Sequence, residues 1–203
     1  MRRTTSLAIA LAAVTLAATP ATADTPKRGG ILKFAVVAEP PTTDCHGTTT
    51  FAMIHPVVPQ YSTLLKIVGP HDKSRIEGDL AESWEISPDG LTYTFKLRRG
   101  VKWHDGSPFS SADIKATYER IVNPPEGVVS SRKAVHQDIQ QITTPDDYTV
   151  VFKPKQPNAS MVLHFGSPFN CVYSAAKLAK DPTYPSKEVM GTGAFKFVEY
   201  VKG

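Results

Sequence analysis

Apolar and polar residues alternate most regularly in the stretch from Leu80 to Ile121. Within it, Tyr93, Phe95 and Leu97 alternate with polar residues, and this period of two predicts a β-strand with one apolar face. Turn signals ending in glycine lie around this strand, at residues 87–90, 99–100 and 105–106. The pattern therefore predicts an antiparallel ribbon.

A helix is predicted to follow this ribbon. Ser110 or Ser111 offers a hydroxyl as N-cap, and Asp113 places a carboxylate in the first turn, where it complements unpaired N–H groups and the helix dipole. Apolar side chains then recur at helical spacing and give the helix one buried face. These residues are Ile114, Tyr118 and Ile121.

Further elements are predicted on both sides of this unit. Residues 31–37 are almost continuously apolar, which predicts a strand buried on both faces and ended by Pro40 and Pro41. Pro56 and Pro59 argue against one continuous helix over the apolar stretch 51–67. Downstream, the patterns predict a partly helical segment over 128–141 with Val135, Ile139 and Ile142 as its apolar positions, a strand over 148–153, helices over 159–165 and 175–180, and a last strand over 194–201.

Short aromatic-flanked strands with few long helices predict a mixed, largely antiparallel α/β fold. The 203 residues include 17 prolines, more than a compact helical bundle would tolerate. The sequence contains no internal repeat and no low-complexity tract. The chain is long enough to bury a sizeable core.

The first 23 residues are predicted to be a signal peptide. Arg2 and Arg3 form a positive start, residues 7–18 are apolar but short for a bilayer span, and the small residues 21–23 fit a cleavage site after Ala23. An uncleaved membrane anchor is the competing interpretation. We expect export to the periplasm through a general secretion route.

The charge of the chain argues against nucleic-acid binding. The formal net charge of +4 falls to +2 when Arg2 and Arg3 leave with the signal peptide. No dense run of Lys and Arg with interleaved aromatic residues occurs. The sequence also contains no second apolar run long enough for a transmembrane helix.

The chain contains two cysteines, Cys45 and Cys171. In an exported protein an even pair suggests a disulfide, but spacing alone does not show that the two residues meet. Two buried thiols or a free thiol remain alternatives. A metal site at either cysteine is disfavoured, because the only neighbour with a ligand side chain at suitable spacing is His46.

A set of motifs in a fixed order resembles the N-terminal portion of the extracellular solute-binding proteins of family 5, the oligopeptide-, dipeptide- and nickel-binding components of ATP-binding-cassette (ABC) importers. The motifs are Gly29-Gly30-x-Leu32, Glu39 followed by Asp44-x-His46, Leu80-Ala81-Glu82-Ser83-Trp84, Ser87 to Phe95, Leu97 to Gly106, and Gly191 to Phe197. One such motif is weak, but the ordered set covers nearly all of the chain after residue 23. The family commonly has a proline where this chain has Cys45.

The resemblance implies one lobe of a type II periplasmic-binding-protein-like fold with an inserted accessory α+β domain. Residues 24–50 and 154–203 would form lobe I, and residues 51–153 the accessory domain. Proteins of this family are much longer, so the resemblance also implies that the chain is truncated before the second lobe, which would form the opposite wall of the ligand cleft.

Five residues are candidate ligand contacts: Glu39, Pro41, His46, Phe169 and Asn170. In the resembling family the exit from the first strand lines the cleft, where a carboxylate held rigidly by the following prolines can meet an ammonium or a backbone N–H. The alternatives are a solvated acid for Glu39, a packed or solvated loop histidine for His46, and core packing for Phe169.

The sequence offers no catalytic motif. His104-Asp105 resembles part of a dyad, but Asp105-Gly106 is a turn signal and no nucleophile motif or phosphate-binding glycine loop occurs. Trp84, Tyr93, Phe95 and Trp103 are expected in the core. We therefore expect a non-enzymatic, cofactor-free and metal-free binding protein, a monomer whose partners are a peptide or similar small solute and the importer's permease and ATPase. A secreted hydrolase with catalytic residues beyond Gly203, and an adhesion or chaperone-like module, are the alternatives.

Overall fold

The computed structural model describes residues 29–69 and 75–202, so the predicted signal peptide lies outside the described residues. The described residues up to Phe34 belong to one unit, and those from Ala35 onward form a second, compact unit. The helices are α1 (Phe51–Val57), α2 (Ser111–Val122), α3 (Lys133–His136), α4 (Met161–Phe165) and α5 (Ala175–Lys180), with short 3-10 turns at Val58–Gln60 and Tyr184–Ser186. The strands are β1 (Leu65–Val68), β2 (Arg75–Gly78), β3 (Ala81–Ile86), β4 (Tyr93–Leu97), β5 (Ile139–Asp146) and β6 (Thr149–Pro154).

A four-stranded antiparallel sheet with the order β3-β4-β6-β5 organises the second unit. Its register places Phe95 opposite Trp84 on one side and opposite Val150 on the other. Strands β1 and β2 form a separate antiparallel pair. Among the described strands every pairing is antiparallel, as the sequence patterns predict.

Helix α2 lies against this sheet and closes an aromatic core. Phe95, Tyr118, Phe152 and Phe165 are all fully buried. Their rings meet mostly edge to face, with centroids 5.0 Å apart for Phe95 and Phe165 and 5.1 Å apart for Tyr118 and Phe152. Such arrangements add roughly 0.5–1.5 kcal/mol per pair beyond the burial of apolar area. The predicted inward faces of β4 and α2 are therefore confirmed.

The start of α2 follows its predicted N-cap. Ser110 is the cap, and its backbone N–H donates to Asp113 Oδ2 at 2.9 Å. The other carboxylate oxygen of Asp113 accepts the N–H of Ala175 at 2.8 Å. One acidic side chain thus fixes the first turns of both α2 and α5.

Two predicted strands are wrong. Residues 31–37 and 194–201 form no strand, and large apolar side chains in both segments are exposed, including Ile31, Val37 and Val198. A strand needs a neighbour to satisfy its backbone N–H and C=O groups, and no strand among the described residues pairs with either segment. Apolar content alone was therefore an insufficient signal.

The segment 128–141 is also different from its prediction in part. Only α3, residues 133–136, is helical, and Ile139 and Ile142 belong to β5. Ile139 lies opposite Pro154, and Ile142 opposite Phe152. Pairing with a buried neighbouring strand therefore outweighs the weak helical spacing of these isoleucines.

His104 joins two of the sequence motifs. Its Nε2 donates to the carbonyl of Gly193 at 2.9 Å, and its Nδ1 accepts the N–H of Gly191 at 3.4 Å, a pattern that one neutral tautomer satisfies. A Cβ at either glycine would collide with the backbone of Gln60. The glycines are therefore needed for close backbone approach, and the histidine has a structural role.

Candidate functional site

Glu39 and Pro41 lie on an exposed segment beside an open groove. The groove has a volume of about 350 Å³ and is lined by residues 36–40, Pro56 and Tyr200. The Glu39 side chain is exposed and takes part in no ion pair between described residues. Its carboxylate is thus free to meet a cationic group or an N–H donor.

A buried polar cluster lies a few residues further on. Arg120 donates from Nη2 to Asp44 Oδ2 at 2.6 Å and from Nη1 to His46 Nδ1 at 2.9 Å. A guanidinium can only donate, so His46 Nδ1 must accept and its Nε2 must carry the proton. That Nε2 lies 3.0 Å from the carbonyl oxygen of Cys171, an acceptor. His46 is therefore held as one neutral tautomer.

The surroundings set the protonation of both titratable groups in this cluster. Burial lowers the pKa of His46 to about 3, and the positive charge of Arg120 adds to this effect, although Asp44 opposes it. Burial alone would raise the pKa of Asp44, but His46 and Arg120 hold that pKa below its usual value. The cluster is thus a carboxylate–guanidinium pair with a neutral histidine.

Tyr173 and Thr117 extend the cluster. Tyr173 Oη donates to Asp44 Oδ1 at 2.9 Å and accepts the N–H of Cys45 at 2.7 Å. The backbone N–H of Tyr173 donates to Thr117 Oγ1 at 2.9 Å. Residues 44–46, helix α2 and residues 171–173 are therefore tied together by largely buried hydrogen bonds.

The structure also joins two of these segments covalently. Cys45 and Cys171 form a disulfide that links positions 126 residues apart, and both are fully buried. Of the alternatives left open by the sequence, the structure thus contains the bridged one. Closing so long a loop contributes about 4–5 kcal/mol in the chain-entropy account.

Two predicted ligand contacts need correction. His46 and Asn170 are fully buried, so neither side chain can touch a ligand in this structure. Asn170 Nδ2 donates to His136 Nε2 at 3.0 Å and to the carbonyl of His164 at 2.6 Å. Both ring nitrogens of His46 and the Nδ2 of Asn170 therefore have internal partners, whereas Asn170 Oδ1 is buried with no hydrogen-bond partner among the described residues.

Phe169 is half-buried and carries a cation on its ring. The Cζ atom of Arg132 lies 4.1 Å from the ring centroid. The neighbouring Ser131 donates its N–H to the carbonyl of His46 at 2.8 Å. The structure thus brings His46, Phe169 and Asn170 together around the disulfide, while Glu39 and Pro41 lie on the exposed segment.

Sequence reasoning missed Arg120, Arg132 and Tyr173. For Arg120 a signal was present, because Asp113, Thr117 and Arg120 recur at helical spacing beside the apolar stripe of α2, and all three are buried. Such a polar stripe indicates a second buried interface. For Arg132 and Tyr173 no sequence pattern distinguishes them from ordinary loop residues.

Residues 29–69 and 75–202 contain neither a candidate metal site nor a candidate membrane-spanning helix. No group of three or more His, Cys, Asp or Glu side chains in these ranges could hold a metal ion. No helix in the same ranges is both long and apolar enough to cross a membrane.

Comparison with known proteins identifies the family. Residues 75–203, well over half of the chain, match the bacterial extracellular solute-binding proteins, family 5, middle region. The chain belongs to this family. A putative ABC transporter peptide-binding protein of Brucella ovis is 43% identical over 132 residues, which cover 62% of this chain and 24% of that protein. The glutathione-binding protein GsiB of Pectobacterium atrosepticum is 36% identical over 121 residues, covering 60% of this chain and 23% of that protein.

Solved structures agree with the family and with the predicted fold class. The PBP AgaA of A. tumefaciens R10, in complex with agropinic acid, superposes with a TM-score of 0.74 and 33% identity over 81% of this chain and 32% of that one. The periplasmic binding protein DppA of Helicobacter pylori, in complex with the peptide STSA, superposes with a TM-score of 0.69 and 30% identity. The match covers 79% of this chain and 35% of that one. The mixed, largely antiparallel fold of the type II periplasmic binding proteins is confirmed. The chain spans about a quarter of the length of the curated relatives it matches.

Proposed function

We propose that this chain is part of the periplasmic substrate-binding component of an ABC importer. In this role it captures a peptide or a similar small solute and delivers it to the membrane permease and its ATPase. The observation that carries the proposal is the family match, together with relatives that are named for peptide binding and for glutathione binding. The comparisons give no support to the secreted hydrolase considered as an alternative.

The proposal includes several features that the sequence predicts. The chain is exported and cleaved after Ala23, acts as a monomer and performs no chemistry on its ligand. Residues 24–50 and 154–203 belong to the ligand-binding lobe, and residues 51–153 form the accessory domain. Capture is non-covalent and is followed by closure of two lobes about a hinge.

Glu39 is the proposed contact for the ammonium group or N–H groups of a ligand. Its support is geometric, because the side chain is exposed, free of ion pairs between described residues, and placed on an open groove of about 350 Å³. Pro40 and Pro41 follow it directly and restrict the backbone on which it lies. A free carboxylate on a rigid backbone suits recognition of a cationic end group.

Two peptides test this role of Glu39 by titration calorimetry. We expect the tetrapeptide Ser-Thr-Ser-Ala to bind more tightly than its N-acetylated form, which has no ammonium group. Glu39→Gln should lower the affinity for the free-amine peptide by roughly tenfold or more, as expected for loss of a charged hydrogen bond. Glu85→Gln is the matched control, because Glu85 is an equally exposed acid on β3. Equal affinity of Glu39→Gln and wild type for both peptides would remove Glu39 from the site.

A further inference from the structure

Arg132 combines a fixed side chain with an unused hydrogen-bonding fork. Its guanidinium lies on the face of Phe169, with Cζ 4.1 Å from the ring centroid. Nε is buried and has no hydrogen-bond partner among the described residues. The two Nη atoms also make no hydrogen bond there but are not buried, so the end of the fork faces solvent.

Arg132 has no carboxylate partner within the described ranges, because none of the ion pairs there includes it. Burial lowers the pKa of both His164 and His136, whose rings lie 6.1 Å apart, and the charge of Arg132 adds to this effect. A half-buried cation without an anionic partner is costly unless an anion from outside compensates it.

The backbone around Arg132 is also held in place. Ser131 is bound to the carbonyl of His46, and Phe169 lies two residues before the disulfide-bonded Cys171. The cation and the ring that orients it are therefore both attached to the buried cluster of Asp44, His46 and Arg120. A planar fork that is oriented before binding suits bidentate recognition of a group with two coplanar oxygens.

We propose that Arg132, stacked on Phe169, binds an anionic group of the solute, and that this group is a carboxylate. The inference deepens the proposed function and rests on it, since it assigns the ligand of the importer to the class of carboxylate-bearing solutes. A peptide with a free C-terminus carries such a group. In chemical terms, the two Nη atoms donate to the two carboxylate oxygens while the ring of Phe169 covers one face of the guanidinium.

The Nε–Hε resonance of Arg132 reports on this site directly in proton–nitrogen NMR of the full chain. Acetate should shift it saturably, whereas acetamide, a neutral molecule of the same shape, should not. Arg132→Gln assigns the resonance by its loss. Because variants at position 132 lack this reporter, their acetate titration is followed at the backbone N–H of Phe169, and the affinity of Arg132→Gln should be lower by about tenfold or more. Arg99→Gln is a matched control, because Arg99 stacks on Tyr148 at 4.2 Å in the same way, beside the acid Asp146, and its loss should change nothing.

Several outcomes would overturn the assignment. The first is an Arg132 resonance that does not shift with acetate, and the second is one that shifts equally with acetamide. The third is an Arg99→Gln variant that loses as much acetate affinity as Arg132→Gln. A response to inorganic phosphate with none to acetate would also overturn it, because the anion would then not be a carboxylate. Circular dichroism of Arg132→Gln checks that the variant is folded, and Arg132→Lys, which keeps the charge without the fork, should bind acetate with intermediate affinity.

A second pair of ligands separates this inference from the proposed function. If the protein binds trialanine and trialanine amide equally well, the result supports peptide capture and contradicts the carboxylate site. If acetate shifts the Arg132 resonance but neither tripeptide nor any other peptide binds, the result supports the carboxylate site and contradicts peptide capture. Preference for the free acid, abolished in Arg132→Gln, supports both.

Discussion

Arg120 Nη2 lies 2.6 Å from Asp44 Oδ2, and this ion pair is almost completely buried. It joins helix α2 to the segment that follows Glu39, and the disulfide between Cys45 and Cys171 joins the same segment to residues 171–173. The candidate contacts, the exposed Glu39 and the half-buried Arg132, are thus attached to a rigid centre. Rigid support of this kind keeps recognition groups in place before a ligand arrives.

Breaking this ion pair should destabilise the fold strongly. We expect Arg120→Met to lower the free energy of unfolding by about 3–5 kcal/mol, because Asp44 would remain buried without its charged partner. Urea denaturation followed by circular dichroism measures the loss. Arg75→Met is the control, since Arg75 pairs with Glu77 on the surface, where an ion pair contributes less than about 1 kcal/mol. Equal losses in the two variants would contradict the importance of the buried pair.

His46 should make stability fall on acidification. Its pKa is about 3 in the fold, against 6.5 for the free side chain. At pH values between these two pKa values, the unfolded chain binds a proton at this histidine and the folded chain does not. Stability is therefore complete above about pH 6.5 and falls by up to ~1.4 kcal/mol per pH unit as the pH drops below it.

The same measurement on His46→Gln isolates this contribution. Urea denaturation at a series of pH values from about 7 to 4 should show a shallower slope for the variant. Some slope should remain, because burial also lowers the pKa of His136, to about 4. An identical slope in wild type and variant would show that His46 does not titrate as the buried geometry requires.

Removing the disulfide should cost a large part of the stability. We expect the double variant Cys45→Ala with Cys171→Ala to lose about 3–5 kcal/mol, because the bridge closes a loop of more than a hundred residues. Adding a reductant to the wild type should move its urea midpoint towards that of the variant. Rapid alkylation of two thiols in the native, unreduced protein would show that the bridge is absent.

Gly191 should tolerate no side chain. A Cβ there would meet the backbone of Gln60, which cannot move aside as a flexible side chain could, so Gly191→Ala should destabilise by about 1–3 kcal/mol. Gly47→Ala is the control, because a Cβ at Gly47 meets its neighbours at ordinary contact distances of 3.5 Å and more. Thermal unfolding of both variants compares them, and a Gly191→Ala variant as stable as Gly47→Ala would contradict the close approach.

Local signals account for the parts of the fold that the sequence predicted. The strand Tyr93–Leu97 and the helix Ser111–Val122 carry their periodicity, turns and cap within a few residues, so neighbours distant in the chain were not needed to recognise them. Residues 31–37 and 194–201 are also rich in apolar residues, yet they form no strand. A strand depends on a pairing partner, which a local pattern cannot reveal.

The candidate site was predicted less well for a related reason. Glu39 is exposed, as a ligand contact requires, but no local pattern separates buried polar residues from accessible ones. His46 and Asn170 are polar and lie in loops, yet tertiary partners bury both completely. Arg132 was missed because its stacking on Phe169 joins residues 37 positions apart in the chain.

Titration calorimetry of the protein with Ser-Thr-Ser-Ala, followed by mass spectrometry of the recovered peptide, distinguishes capture of a peptide from chemistry on it. We expect saturable binding and recovery of the unchanged peptide, as for an importer's substrate-binding component. Cleavage or modification of the peptide, or the absence of binding to this tetrapeptide, to Met-Leu and to glutathione alike, would contradict the proposed function.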